Sequence, residues 1–240
     1  MHPQARGVDA QPGKSEHATR VYVPLRRQAS GLEPPGANTA IFSLVNSILL
    51  RPLPVKDPKQ LTVLTLQQKQ GPLQLQFSIA DYRDIRSQTT GVYSDLIAHT
   101  IGLDGLNING KADRILTDYV SANYFSGLGL QPALGRLLLP SEGETPSADP
   151  VMVLAYSYWK TRFGGDPGIV GRKVSVDGHP LTIVGVAPEG FHWLNQFISI
   201  QGYLPLGMAF IEGYPSDLMT NRQNRTVFLL GRLQPGASLQ

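Results

Sequence analysis

Turn-forming residues break this chain at such short intervals that a bundle of long helices is closed to it. Gly (25) and Pro (19) fill 44 of the 240 positions. Each Pro removes a backbone donor, and each Gly weakens helix and strand interiors alike. The sequence therefore predicts many short elements joined by tight turns. General disorder is excluded by a hydrophobic content of 41% beside a net charge of only +3.

The charges exclude a further class. Residues 1–36 hold five Lys/Arg and three acids, which leaves sixteen bases against fifteen acids elsewhere. Lone bases on a sparsely charged surface build no phosphate-binding face, so nucleic acid is not an expected partner. The absence of cysteine excludes disulfides, thiolate nucleophiles and Cys-ligated zinc. The five histidines (His2, His17, His99, His179, His192) are scattered, with no two at helical ligand spacing.

Along the chain, residues 1–35 run through Pro3, Pro12, Pro24, Pro34 and Pro35 without an apolar period, and they read as an atypical, disordered tail. Residues 36–53 are the most apolar stretch but fall short of a full bilayer span. Within them Ile41, Leu44, Val45, Ile48 and Leu49 share one helical face, and Arg51-Pro52-Leu53-Pro54 ends the helix. Two readings stand: an amphipathic helix on a core, or the outer end of a membrane helix.

From residue 54 onward the pattern becomes regular. Leu61–Leu66 alternates as a strand, and Ser78 with Asp81 forms a capping-box signal for a helix over Ile79–Ser87, with Ile79, Tyr82 and Ile85/Arg86 inward. A strand is expected around Tyr93–His99, and a hairpin around Leu106–Lys111 turns at Asn109-Gly110. Arg114–Ser121 continues as a strand into a helix over Ala122–Leu128. Val151–Leu154 reads as a buried strand. Ser157–Phe163 reads as a short helix anchored by Tyr158, Trp159, Arg162 and Phe163. Lys173–Val176 and Leu181–Val186 flank Asp177-Gly178 as a hairpin. Tyr203–Pro205 and Thr226–Leu233 are further strands, and Pro235–Ser238 approaches another helix. The fold class expected is α+β.

Chemical motifs are missing. No G-x-x-x-x-G-K-[ST] or G-x-S-x-G occurs, and Gly127-Leu-Gly129 lacks the third glycine of a dinucleotide site. Ser121, Ser157 and Ser199 read as caps or turn residues. Asp81 and Asp84, interleaved with Arg83 and Arg86, read as a salt-bridged face. Asp104, Asp177 and Glu189 read as turn residues. His179 and His192 read as single packed or exposed histidines. No catalytic, cofactor-binding or metal residue is assigned, and the chain is not expected to be an enzyme.

Several phrases resemble the MacB/FtsX-type ABC transporter permeases, and within them the large group common in acidobacteria. GANTAIFSLVNSILLRPLPV (36–55) is similar to the end of the first membrane helix and its exit, and Ser78–Arg86 to an S-x-x-D-Y-x-D-x-R helix. VSANYFSGLGLQPALGR (120–136) resembles the family's strand-to-helix phrase. The stretch 148–191 resembles its periplasmic core pattern, and GRLQPGASLQ (231–240) its return strand. The resemblance covers about 36–240. It implies a two-lobed MacB-like periplasmic core domain, a porter-like lobe plus an inserted β-rich lobe, preceded by a partial membrane helix at 36–53. It also implies a non-enzymatic role, passing ATP-driven motion to cargo or a periplasmic partner. The implied partners are a separate ABC ATP-binding subunit, the remaining permease helices, a second permease copy and a periplasmic adaptor. The implied site is the bacterial inner membrane, with the core domain outside.

Against the family pattern, 54–240 reads as a core domain cut short at its C-terminus. An exposed edge strand near Thr226–Leu233 and apolar patches are then expected. Gly135-Arg136 and Gly171-Arg172 read as turns whose guanidinium groups either sit on the surface or pair across the lobes. The alternatives in another class are a small soluble binding module and a nonfunctional permease fragment.

Overall fold

The computed structural model describes residues 19–24, 55–67, 74–143, 145–146, 148–191, 198–212 and 217–237, with the side chains of 19–24, 210 and 212 left aside. The strands are β1 (Thr19–Pro24), β2 (Leu61–Gln67), β3 (Gln76–Phe77), β4 (Tyr93–Ile108), β5 (Lys111–Val120), β6 (Leu134–Gly135), β7 (Val151–Leu154), β8 (Lys173–Val176), β9 (His179–Val186), β10 (Gly202–Pro205) and β11 (Val227–Leu233). The helices are α1 (Ile79–Gln88), α2 (Tyr124–Leu128) and α3 (Tyr156–Phe163), and a 3-10 turn follows β10 over Leu206–Glu212. The class is mixed α and β. The expected elements at 36–54, 192–193 and Ser238 lie outside the described residues.

All the described strands join one sheet in the order β1-β2-β11-β4-β5-β10-β7-β9-β6, with β3 on β11 and β8 bridging β4 and β9. That bridge closes a ring. β4 pairs with β5, β5 with β10, β10 with β7, β7 with β9, β9 with β8, and β8 returns to β4 at Leu106↔Val176. The long β4–β5 ribbon belongs both to this ring and to the open sheet β2-β11-β4.

Alternation along the strands builds two cores. Leu64, Leu66, Leu96, Ala98, Val227 and Leu229 face α1, which contributes Ile79, Tyr82 and Ile85, and this core continues inside the ring through Leu106, Ile115, Met152 and Ile183. On the other face Leu61, Ile97, Val120 and Leu230 meet Tyr124, Phe125 and Leu128 of α2. Helix α1 starts as its sequence foretells. The Ser78 side chain accepts from the Asp81 N–H at 3.0 Å, and Asp81 accepts from the Ser78 N–H at 3.4 Å. Arg86, however, is exposed rather than inward.

Four expectations are corrected. The strand at 93–99 and the hairpin at 106–111 form one ribbon, because Thr100–Gly105 pair without a break against Arg114–Tyr119. The last strand is not an edge: β11 lies between β2 and β4, with Val227 and Leu229 fully buried. Its second partner, β2, is distant in sequence, so local pattern could not reveal it. Thr19–Pro24, inside the tail expected to be disordered, pairs with β2 from Thr19↔Gln67 to Pro24↔Thr62. Arg162 is exposed rather than an inward anchor of α3, and only Trp159 of that helix is buried.

Candidate functional site

The β4–β5 ribbon carries two wholly buried carboxylates, one on each face. Asp118 shares its face with Val120 and Leu116, whose neighbours on β4 are His99 and Leu103. Asp104 lies on the opposite face with Leu106 and Ile115. Strand register alone sets this division, since successive side chains point to opposite sides.

Asp118 is the centre of a polar cluster walled by rings. His99 Nδ1 lies 3.1 Å from Asp118 Oδ1, and the Tyr124 hydroxyl donates to Asp118 Oδ2 at 3.3 Å. The His99 ring packs 5.6 Å from Phe228, and Tyr203 lies 6.0 Å from Tyr124 and 5.9 Å from Phe191. Burial pushes the Tyr124 and Tyr203 phenols well above their ordinary 10.0, and the Asp118 charge pushes both further. Asp104 on the other face accepts from the Thr117 hydroxyl and from the Tyr119 hydroxyl at 2.9 Å. Both of these donors stand on its own hairpin partner strand.

A His–Asp–Tyr chain is able to pass a proton, but a catalytic group must reach a substrate. His99, Asp118 and Tyr124 are each no more than 2% exposed. A small cleft of about 110 Å³ lies between Arg86, Thr89, Tyr93, Asp95 and Asn123, and a shallow groove of about 550 Å³ lies over Leu75, Gln76, Arg225 and Phe228. Neither is lined by Asp104, Asp118 or His99. Among the described residues no three His, Asp or Glu side chains gather where a metal ion could sit. The arrangement seals polar groups between layers and binds the layers together.

The residues singled out in sequence are dispersed. Ser121 Oγ accepts from the Ala98 N–H at 3.1 Å and donates to Asn123 Oδ1 at 2.9 Å. The Ser157 carbonyl accepts from Thr161, and Ser199 Oγ accepts from Gln201. Asp81 and Asp84 are bridged by Arg222, at 2.9 and 2.6 Å. Of the interleaved arginines, Arg83 donates to the Met219 carbonyl and Arg86 to the Tyr82 hydroxyl. Asp177 does sit in a turn, with φ 45°, and accepts from the Gly105 N–H at 2.8 Å. Glu189 and His179 are exposed, and His192 lies outside the described residues. Asp104 is the misread residue, because it stands inside β4 rather than in a turn.

Three arginines on the ring side pair nearby. Arg136 forks onto Glu142 at 2.6 and 2.7 Å, and Arg172 meets Asp166 at 2.5 Å. Both pairs close within one local loop, which removes the reading in which these two arginines pair across lobes. Burial pushes the Glu142 carboxyl up, but the Arg136 fork and the Leu139 N–H outweigh it and hold it below 4.5. Arg162 and Tyr158 both donate to Asp113, whose carboxyl the Arg162 bond holds below its ordinary value. Burial first, and then the bond to Asp113, pushes Tyr158 up to about 12. What sequence reasoning missed, His99, Asp104 and Asp118, left one faint signal: a polar residue with apolar neighbours two positions away on the same face of a strand, as Asp118 has Leu116 and Val120.

The family model described as the MacB-like periplasmic core domain matches residues 36–240. No curated protein sequence matches this chain. Among solved structures, the periplasmic region of MacB from Actinobacillus actinomycetemcomitans is 18% identical with a TM-score of 0.52; the match spans 67% of this chain and 66% of that one, just under two thirds. A domain of a protein described as a permease, from Porphyromonas gingivalis, is 18% identical with a TM-score of 0.55 over 75% and 77%. The extracellular domain of the noncanonic ABC-type transporter YknZ from Gram-positive bacteria is 16% identical with a TM-score of 0.50 over 68% and 75%. At these identities the three structures speak for the fold alone.

Proposed function

The chain belongs to the MacB-like periplasmic core domain family, the extracytoplasmic domains of ABC-type transporter permeases, and from that premise we propose that it is a mechanical element rather than an enzyme. In this reading it passes the ATP-driven motion of a separate nucleotide-binding subunit to cargo or to a periplasmic partner. The match over 36–240 is the observation that carries the proposal. The buried polar clusters on the two faces of β4–β5 support it, because one pins the register of the ribbon and the other joins sheet to helix, and neither lines a cleft described above.

The finer anatomy belongs to the same proposal. Residues 1–35 are a tail, 36–53 are a membrane-exit helix, and 54–240 are the core domain at the outer face of the inner membrane. The open sheet with α1 and α2 corresponds to a porter-like lobe, and the six-strand ring to an inserted β-rich lobe. No helix among the described residues is long and apolar enough to cross a membrane. The partners are an ABC ATP-binding subunit, further permease helices, a second permease copy and a periplasmic adaptor.

Membrane fractionation of the full chain, followed by mild-detergent affinity purification, tests the proposal. The chain is expected in the membrane fraction with an ABC ATP-binding subunit at defined stoichiometry. A fully soluble chain with no ATPase attached would overturn it.

A further inference from the structure

The segment that enters the core at Val55 and the strand that leaves it at Leu233 meet at a single side chain. Arg232 on β11 is paired with Leu61 of β2 on one side and with Asp95 of β4 on the other. It is only 7% exposed. Its Nε donates to the Gly127 carbonyl at 2.6 Å, and one Nη donates to the Asp57 carbonyl at 3.4 Å. Gly127 lies in the last turn of α2, where carbonyls lack helical partners and the helix dipole is negative. The other Nη is buried and has no hydrogen-bond partner among the described residues. Burial pulls this guanidinium below its ordinary range, against the charges of Asp95 and Asp57.

Two further features gather at the same point. The Lys56 N–H donates to the Leu128 carbonyl at 3.0 Å, and α2 ends at Gly129 with φ 73°. A side chain at Gly129 would strike Lys56 Cβ at 2.5 Å, so glycine is needed there both for its left-handed backbone and for the close approach of the entering segment. Asp57 itself is left-handed, with φ 41°. That conformation is costly for a residue with a Cβ and persists only where its surroundings hold it. Its carbonyl takes the Gln60 N–H at 2.9 Å in addition to Arg232. A well-packed apolar side chain at this buried position would avoid desolvating a charge, so what the arginine contributes is geometry.

We propose that Arg232 is a positioning residue that ties the entering segment Val55–Gln60, the end of α2 and the leaving strand β11 into one body. The inference rests on the transmission reading above. A domain hung from the membrane at these two points passes motion on only if both move together.

The test is hydrogen exchange with mass spectrometry on the full chain, comparing wild type with Arg232→Met and Arg232→Lys. Arg232→Met is expected to speed exchange in 55–60 and 127–130 by about tenfold or more, the equivalent of one lost charge-assisted hydrogen bond. Exchange in the hairpin at 103–115 should change far less. Arg232→Lys, which keeps the charge but loses the fork, should restore only a minor part. Uniform acceleration across all regions would mark an ordinary stability role and overturn the proposal, as would no acceleration. Should Arg232→Met not fold, wild-type exchange in graded low denaturant decides. The three segments should open in one cooperative step, and separate opening sinks the tie. Failure to find an ATPase in the purification above removes the transmission reading but leaves this exchange pattern untouched.

Discussion

Asp104 and Asp118 lie on one ribbon and are equally buried, yet they do different work. Asp104 accepts hydrogen bonds from Thr117 and Tyr119, both on the strand that pairs with its own. Those of Asp118 reach His99 on β4 and Tyr124 on α2. The first carboxylate fixes the register of a hairpin, because a slip of one residue would carry it to the opposite face. The second joins sheet to helix. A buried carboxylate is thus read from the elements its partners come from, more than from its burial.

The largest expected effect breaks the comparison at its stronger end. Asp118→Ala leaves His99 and Tyr124 facing a void with their shared acceptor gone. It should cost about 3–5 kcal/mol in denaturant unfolding, since two buried groups on different elements lose their acceptor at about 1–3 kcal/mol each and a cavity opens between the layers. Asp104→Ala strands two neutral hydroxyls and should cost roughly 2–3 kcal/mol, and Asp104→Asn, which keeps an acceptor, should recover part of that. If Asp104→Ala proved the more damaging, the division between register pin and layer joint would be wrong.

Tyr124 and Tyr203 sharpen the comparison from the alkaline side. Their phenols are raised in the folded state, chiefly by burial. The stability they contribute is therefore complete below their ordinary pKa of about 10 and is lost as pH rises through the folded values. Thermal melts from pH 9 upward should show a steep alkaline fall in wild type. Tyr124→Phe should flatten it, at a cost of about 1 kcal/mol near neutrality. A fall of unchanged steepness would place the alkaline sensitivity elsewhere.

Glu142 gives the smallest effect and the contrast with a carboxylate near the surface. Its partner Arg136 is 38% exposed on the side chain, so screening leaves the pair worth about 1 kcal/mol at most. Its folded pKa is lowered. The contribution is therefore present above 4.5 and lost as pH falls through the lowered value. Glu142→Gln should lose about that much at pH 7 and nothing at pH 2, measured by urea unfolding at both. An equal loss at both would show that packing, not charge, is the contribution.

The capping box at Ser78, the Asn109-Gly110 and Asp177-Gly178 turns and the strand at Val151–Leu154 were legible because each depends on neighbours within a few residues. The two carboxylates were not. Asp104 beside Gly105 reads as a turn, since a one-dimensional pattern gives no reason for a strand to run straight through Gly102-Leu-Asp-Gly105. The structure supplies that reason in the unbroken pairing of those residues with Arg114–Thr117. The Asp81/Asp84 face was legible as salt-bridged, but its partner, Arg222, stands far along the chain.

By itself the sequence determined the short-element α and β grammar, most of the turns, the inward faces of α1 and the strands, and the phrases that carry the family. Those follow from backbone sterics, side-chain period and local hydrogen bonds, which act over a few residues. Only the tertiary structure decided that β11 sits between β2 and β4, that six strands close a ring on the β4–β5 ribbon, and that Asp118, Asp104 and Arg232 are buried at joints. Strand pairing and the desolvation of a charge depend on groups far apart in the chain, and their energies exist only once those groups have met.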